Sequence, residues 1–189
     1  DICGIIEATP VDPEEAARLK AERLAAAALK LSGFEEIDPQ SPLGGPDGAK
    51  DIVCSKGGLI WIGAVYFPVA PVRFPAIKKK FSADLAGVRA NHRGIVFVTN
   101  QSLTPGQRKT LVDIAAKSGK EADIVHLERL RALLDSPSGY GTRLQFLKIP
   151  MSQDEQLSWF AESDSQVAVA LNANTREILA LKAMIQRMD

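Results

Sequence analysis

The chain is expected to fold as an α/β protein: a mixed β-sheet flanked by helices, followed by a helical tail. Three observations point there. Helical and extended periodicities alternate in the order αββαβαβα, which suits a sheet covered by helices. The run Gly94-Ile95-Val96-Phe97-Val98-Thr99 has no polar alternation, as expected of a strand buried on both faces. Beyond Gly141 the mixed pattern gives way to helical and then heptad spacing. The length of 189 residues fits one core of ordinary size with an appendage, divided as residues 1–150 and 151–189.

Each element has its own signal. Pro13 to Leu31 reads as a helix, with Pro13 early, Glu14 and Glu15 in the first turn, a stripe of Leu19, Leu24, Ala27, Ala28 and Leu31, and Ser32-Gly33 as its stop. Residues 51–54 and 59–67 read as strands joined by the hairpin turn Ser55-Lys56-Gly57-Gly58. After a proline-rich break at 68–75, Ile77, Phe81, Leu85 and Val88 share one helical face. The strand opened by Gly94 comes next. Thr104 as N-cap and Pro105 at the first position start a helix through Ala116. Asp123 to Leu127 reads as a strand and Glu128 to Leu134 as a short helix. Leu144, Phe146, Leu147 and Ile149 are expected to close the domain. Ser152 and Glu155 then form a capping box, and Ser163-Asp164-Ser165 reads as a break or a second cap. From Val167 the apolar seam Leu171, Asn174, Ile178, Leu181, Ile185 and Met188 is spaced alternately by four and three. Ile178 and Ile185 at a positions and Leu181 at d favour a parallel dimer. The alternative is a stripe that packs back on its own domain.

Composition narrows the function classes. Lys plus Arg and Asp plus Glu are equal at 23 each, so no whole-molecule field draws in a polyanion, and such a partner must meet a local patch. The patch is residues 73–93, where Arg73, Lys78, Lys79, Lys80, Arg89 and Arg93 face only the acid Asp84. Contacts made there would be to phosphates, independent of sequence and sensitive to salt. Two cysteines, Cys3 and Cys54, and two histidines, His92 and His126, are too few for a zinc cluster or a disulfide framework. No run approaches a bilayer span and no signal peptide is evident, so a cytoplasmic protein with no membrane partner is expected. The absence of an initiating Met suggests a piece of something longer. Cys54 is expected to be buried and inert, Trp61, Tyr66 and Phe67 to be strand core, and His126 a strand residue with its hydrogen bond made.

The turn Gly44-Gly45-Pro46-Asp47-Gly48-Ala49-Lys50 delivers Asp51 onto the apolar strand that begins with Ile52. Its glycines permit positive φ and close backbone approach. It reads either as an ordinary β-turn or as a device for aiming one carboxylate. Together with Ala21-Glu22-Arg23-Leu24 leading to Ser32-Gly33-Phe34, with Gly94 to Thr99 followed by Leu103-Thr104-Pro105, and with His126-Leu127-Glu128-Arg129-Leu130, it resembles the restriction-endonuclease-like fold, in the Mrr-type PD-(D/E)XK branch. The resemblance spans about Glu22 to Leu134.

That resemblance implies a nuclease or nuclease-derived effector domain acting on DNA in bacterial restriction or antiphage defence. It also implies a site: a helix Glu and a strand Asp holding Mg²⁺ or Mn²⁺, and an acid or Gln followed two residues on by a Lys that neutralises phosphoryl charge or orients water. Glu22 and Asp51 match the first two, although Glu22 also reads as a solvated residue of an amphipathic helix. The third element departs from the pattern, since Gly63-Ala64-Val65 and Ala64-Val65-Tyr66 offer no such group. Either catalysis has been lost, leaving a module that binds nucleic acid or a protein partner, or the lysine comes from elsewhere. At about 100° per residue, Lys79 points away from the packed face of its helix while Lys78 and Lys80 flank it. Those two are the candidates to reach Asp51, unless the triplet simply solvates the helix.

Overall fold

The computed structural model describes residues 12–39, 51–167 and 177, in two compact units, Asp1–Leu133 and Leu134–Asp189. The glycine turn 44–50 and the heptad positions Leu171, Asn174, Ile178, Leu181, Ile185 and Met188 lie outside the described residues.

The first unit is a five-stranded mixed sheet in the order β1-β2-β3-β4-β5. Helix α1 (Pro13–Leu31) leads to β1 (Glu35–Pro39), then come β2 (Ile52–Lys56), β3 (Leu59–Tyr66), α2 (Phe74–Ala86), β4 (Gly94–Thr99), α3 (Pro105–Lys117), β5 (Glu121–Val125) and α4 (Leu127–Leu134). The first three strands pair antiparallel, and β3, β4 and β5 pair parallel. Consequently the start of β2 lies beside the carboxyl ends of β3, β4 and β5. The expected mixed α/β sheet is present, with one strand more than periodicity showed. Strand β1 is acidic, broken by a bulge between Glu35 and Asp38, and contains Glu36 at φ 47°. It therefore carries no alternating apolar signal. The Glu121–Val125 strand ends before His126, which sits in the junction to α4 instead of within the strand.

Local chemistry sets the boundaries. At the end of α1 the Phe34 N–H donates to Leu29 O and the Gly33 N–H to Lys30 O, both at 3.1 Å, with Gly33 at φ 78°. This Schellman closure needs a left-handed residue, which glycine supplies without strain. At α3 the expected N-cap is a full capping box: the Thr104 hydroxyl accepts from Gln107 N, and Gln107 Oε1 accepts from Thr104 N. Thr104 thus satisfies a donor that the helix leaves open.

The core has two layers. On one sheet face α2, α3 and the loop before α3 pack Ile77, Phe81, Leu85, Leu103, Leu111 and Ala115 against Ala64, Ile95, Phe97 and Ile124, with Phe81 edge-on to Phe97 at 5.4 Å. On the other face lie Leu29 of α1, Ile52 and Gly63. Trp61 stands edge-on to Phe34 at 5.8 Å, as strand core. Every residue of β4 is buried. Buried Cys54 donates to Trp61 O at 3.7 Å, and burial pushes its thiol up to about 11.

The second unit holds α5 (Tyr140–Leu147) and a helix, α6, over residues 153–167. Arg143 is buried, pairs with Asp135 and Glu155 at 2.7 Å each, and lies over the Tyr140 ring. The Ser152–Glu155 capping box forms as expected. Two expectations are corrected. Leu144, Leu147 and Ile149 do not close a core but stay exposed, because Arg143 takes the buried position of α5. Ser163 does not break the helix: its hydroxyl donates back to Trp159 O at 2.9 Å, the bond a mid-helix serine makes with the preceding turn.

Gly63 is where backbone approach matters most. A Cβ there would stand 2.9 Å from Ile52 Cβ and 3.4 Å from Leu29 Cδ1. Gly63→Ala is therefore expected to cost about 1–3 kcal/mol through overpacking, and Gly63→Glu more, since it adds a buried carboxylate. Urea unfolding of the two variants beside the parent measures both losses, and a stable Gly63→Glu would contradict the packing described.

Candidate functional site

At the beginning of β2 the sheet ladder is completed by a side chain. Asp51 Oδ2 accepts from the Val65 N–H at 2.6 Å, on the strand where Ile52 pairs with Gly63. Asp51 thus stands at the carboxyl ends of the parallel strands, where open α/β sheets place their ligands.

Helix α2 contributes two charged groups, Lys80 and Asp84. Of the lysine triplet, Lys78 and Lys79 are exposed while Lys80 is turned inward. The Lys80 ammonium donates to Asp84 Oδ1 at 2.5 Å, one helical turn on. Asp84 is 2% exposed, and its Oδ2 is buried with no hydrogen-bond partner among the described residues. Burial pushes the Asp51 carboxyl up from its ordinary value, opposed by the Val65 N–H and by the charges of Lys80 and Arg18. Asp84 is likewise pushed up by burial, against the hydrogen bond and charge of Lys80, with the Asp51 charge adding to the rise. Lys80 is bonded to Asp84, and its positive charge acts on Asp51 as well.

Helix α1 contributes Glu22 and Arg18. Glu22 is 3% exposed, so it is no solvated surface residue. It pairs with Arg18 at 3.6 Å, and the Arg18 charge in turn favours ionised Asp51. The two acids expected from the sequence are thus linked through an arginine. Of the two flanking lysines, Lys80 is bonded to Asp84 and its charge favours ionised Asp51, while Lys78 remains at the surface with Arg73, Lys79, Arg89 and Arg93. Arg93 is ion-paired with Glu121.

Asp84 enters the sequence pattern only as the lone acid among cations. A signal for it exists nonetheless: it lies three residues after Phe81 and seven after Ile77, on the apolar stripe of α2, where a buried acid demands a partner. A second group missed by the pattern is the polar clip at the end of β4. The Val72 N–H donates to Gln101 Oε1 at 2.9 Å, Thr99 Oγ1 donates to Tyr66 O at 2.7 Å, and Asn100 Nδ2 donates to Pro68 O at 3.0 Å. These bonds fasten the loop that leads into α2, and with it the helix carrying Lys80 and Asp84. Nearby His126 is in contact with the Arg108 guanidinium through Nε2, and burial and that charge lower its affinity for a proton.

The donor set suits a hard cation with few protein ligands. Mg²⁺ keeps several waters and takes one or two carboxylates, and Asp84 Oδ2 is a buried oxygen with no hydrogen-bond partner among the described residues. Among the described residues no three or more His, Cys, Asp and Glu side chains are grouped to hold a metal ion. The chain matches no protein-family model and no curated protein sequence.

The raised Asp51 carboxyl generates a stability prediction. The folded state binds its proton more tightly than the unfolded chain, so stability falls as pH rises through the window above the ordinary value of 3.8. Asp51→Asn keeps an oxygen for the Val65 N–H and removes that loss. In EDTA the variant is expected to be more stable than the parent at pH 7.5, with the gain vanishing as pH falls below 3.8. Thermal melts across pH test this, and a variant less stable at pH 7.5 would refute it.

Proposed function

We propose that the α/β unit is a restriction-endonuclease-like domain that hydrolyses phosphodiester bonds in DNA with Mg²⁺ or Mn²⁺, in bacterial restriction or antiphage defence. The observation that carries this reading is Asp51 bonded to the Val65 N–H at 2.6 Å where the parallel strands end, with the Lys80–Asp84 ion pair on the helix packed over that sheet face. Lys80 supplies from a helix the positive charge that β3 lacks. A divalent ion held by Asp51 would offset charge on the phosphoryl oxygens and acidify bound water. Lys80 stabilises the same developing charge from α2. Exposed Arg73, Lys78, Lys79 and Arg89 meet neighbouring phosphates, and Arg93, spent on Glu121, contributes less.

One observation favours a second reading, a domain of the same kind that binds nucleic acid or a protein without cutting it. Gly63 and Ala64 are sealed into the two packed faces, so β3 carries neither acid nor lysine. Incubation of supercoiled DNA with the protein and Mg²⁺ or Mn²⁺ separates the readings. Cleavage is expected, lost by about 100-fold or more in Asp51→Ala and sharply reduced in Lys80→Ala, with Lys78→Ala affecting only salt-sensitive binding. Cleavage retained by Asp51→Ala would place the chemistry elsewhere. Metal-independent binding without any cleavage would favour the second reading.

The heptad seam from Val167 to Met188 supports self-association as a dimer, which would present two sites to the two strands of a duplex. Sedimentation of the full chain is expected to show a dimer, and a truncation ending at Ser163 a monomer. Monomers in both cases at tens of micromolar would refute the seam.

A further inference from the structure

We propose that the dimer seam begins on α6 at Leu157, ten residues before Val167, and that the second copy is seated along it in parallel, with Glu177 of each chain paired to Lys182 of the partner subunit. The inference rests on the self-association reading given above and extends it to a surface of the second unit.

Helix α6 is unbroken over residues 153–167, and Ser163, at the expected break, returns its hydroxyl to Trp159 O. The heptad spacing can therefore be followed backwards through it. Leu157, Phe160, Asp164 and Val167 lead into the seam from Leu171 to Met188 at alternate steps of three and four, with Leu157 and Asp164 at a and Phe160 and Val167 at d. The three apolar residues are exposed, Leu157 by 68%, Phe160 by 56% and Val167 by 58%. Large apolar side chains aligned in the open mark a surface on which something else packs.

Helix α5 does not cover this stripe, because it meets another side of α6. Glu155 Oε2 accepts from Arg143 Nη2 at 2.7 Å, and a Cβ at Gly141 would stand 3.6 Å from Trp159 Nε1. Glu155 and Trp159, both half-buried, thus mark the side turned to α5. At about 100° per residue the stripe lies roughly 120° round the helix from them. Two features identify its occupant as a second copy in parallel. A stripe with steps of three and four is complementary to its own image, as in a two-stranded coil, and from Leu157 to Met188 it would extend about 48 Å as helix. Charge supplies the orientation. Glu177, helical and exposed, falls at g and Lys182 at the e position of the next heptad, places that face one another between parallel strands. Five residues apart, the two do not pair within one helix.

Asp164 gives the test its direction, since a carboxylate within a seam lowers an affinity that an apolar side chain would raise. In sedimentation equilibrium of the full-length chain, Asp164→Leu is expected to dimerise about tenfold more tightly than the parent and Phe160→Ser about tenfold less tightly. Ser165→Ala, exposed and off the stripe, is expected to leave the dimer unchanged. Glu177→Lys is expected to weaken it about threefold or more, and Glu177→Lys combined with Lys182→Glu to restore it. Circular dichroism checks that each variant is folded. If Phe160→Ser is not, Asp164→Leu decides, and unchanged or weaker association overturns the placement of the seam on α6. Failure of the charge exchange to restore the dimer overturns the parallel pairing. A dimer indifferent to residues 160 and 164 leaves the self-association reading standing and ends this extension, whereas a parent chain that stays monomeric at tens of micromolar ends both.

Discussion

The tight seating of β3 between two helical layers governs where charge can be placed in this molecule. Its central residues face Leu29 and Ile52 on one side and the Phe81 and Phe97 layer on the other. A strand enclosed in this way admits small or apolar side chains only. Ionisable groups are therefore kept out of the middle of β3 and placed at the sheet's end, in its other strands and on its helices. Asp51, Lys80, Asp84, Arg18 and Glu22 occupy those places. The absence of an acid or a lysine from the middle of β3 is in this sense a packing result.

The polar groups at this end act against the stability of the fold. Asp51 and Asp84 are both pushed toward their neutral forms by burial, and a core of the same shape without them would be easier to form. Groups retained at such a cost are frequent at functional sites. The contrast with Arg143 is instructive. That arginine is also buried, but its two carboxylate partners at 2.7 Å hold its proton more firmly than usual and lower the Glu155 carboxyl below its ordinary range. Its ion pairs are closed on themselves, whereas the Asp84 carboxylate is closed on one oxygen.

How far the sequence reveals this depends on whether a feature is local. The Ser32-Gly33 stop of α1, the all-apolar β4 and the Thr104 cap are written in consecutive residues, and each appears where periodicity or capping chemistry puts it, whereas of the expected α1 stripe only Leu24 and Ala28 are buried, the face being turned to include Glu22, Ala25 and Leu29. Strand β1 is not legible, because pairing with β2 and a bulge make it extended without help from apolar side chains. Asp51 is legible from its turn and Lys80 from its flanking position. What cannot be read locally is the difference between Lys78 and Lys80 as partners of Asp51, or the burial of Glu22 and Asp84. Both depend on which way a helix lies across the sheet, and the clip from Thr99, Asn100 and Gln101 to the loop before α2 fixes that from nearly thirty residues away.

Strand β1 has a further meaning for the molecule in company. Among the described residues it is an edge, and an edge offers unpaired backbone groups to any other strand that meets it. Here the edge reads Glu35-Glu36-Ile37-Asp38-Pro39 and is kinked by its bulge. A second copy approaching edge to edge would set three acids against three and meet a proline that cannot donate. Because the whole chain carries no net charge, general electrostatic repulsion does little to hold copies apart. The acidic border at β1 takes over that task along this side of the sheet.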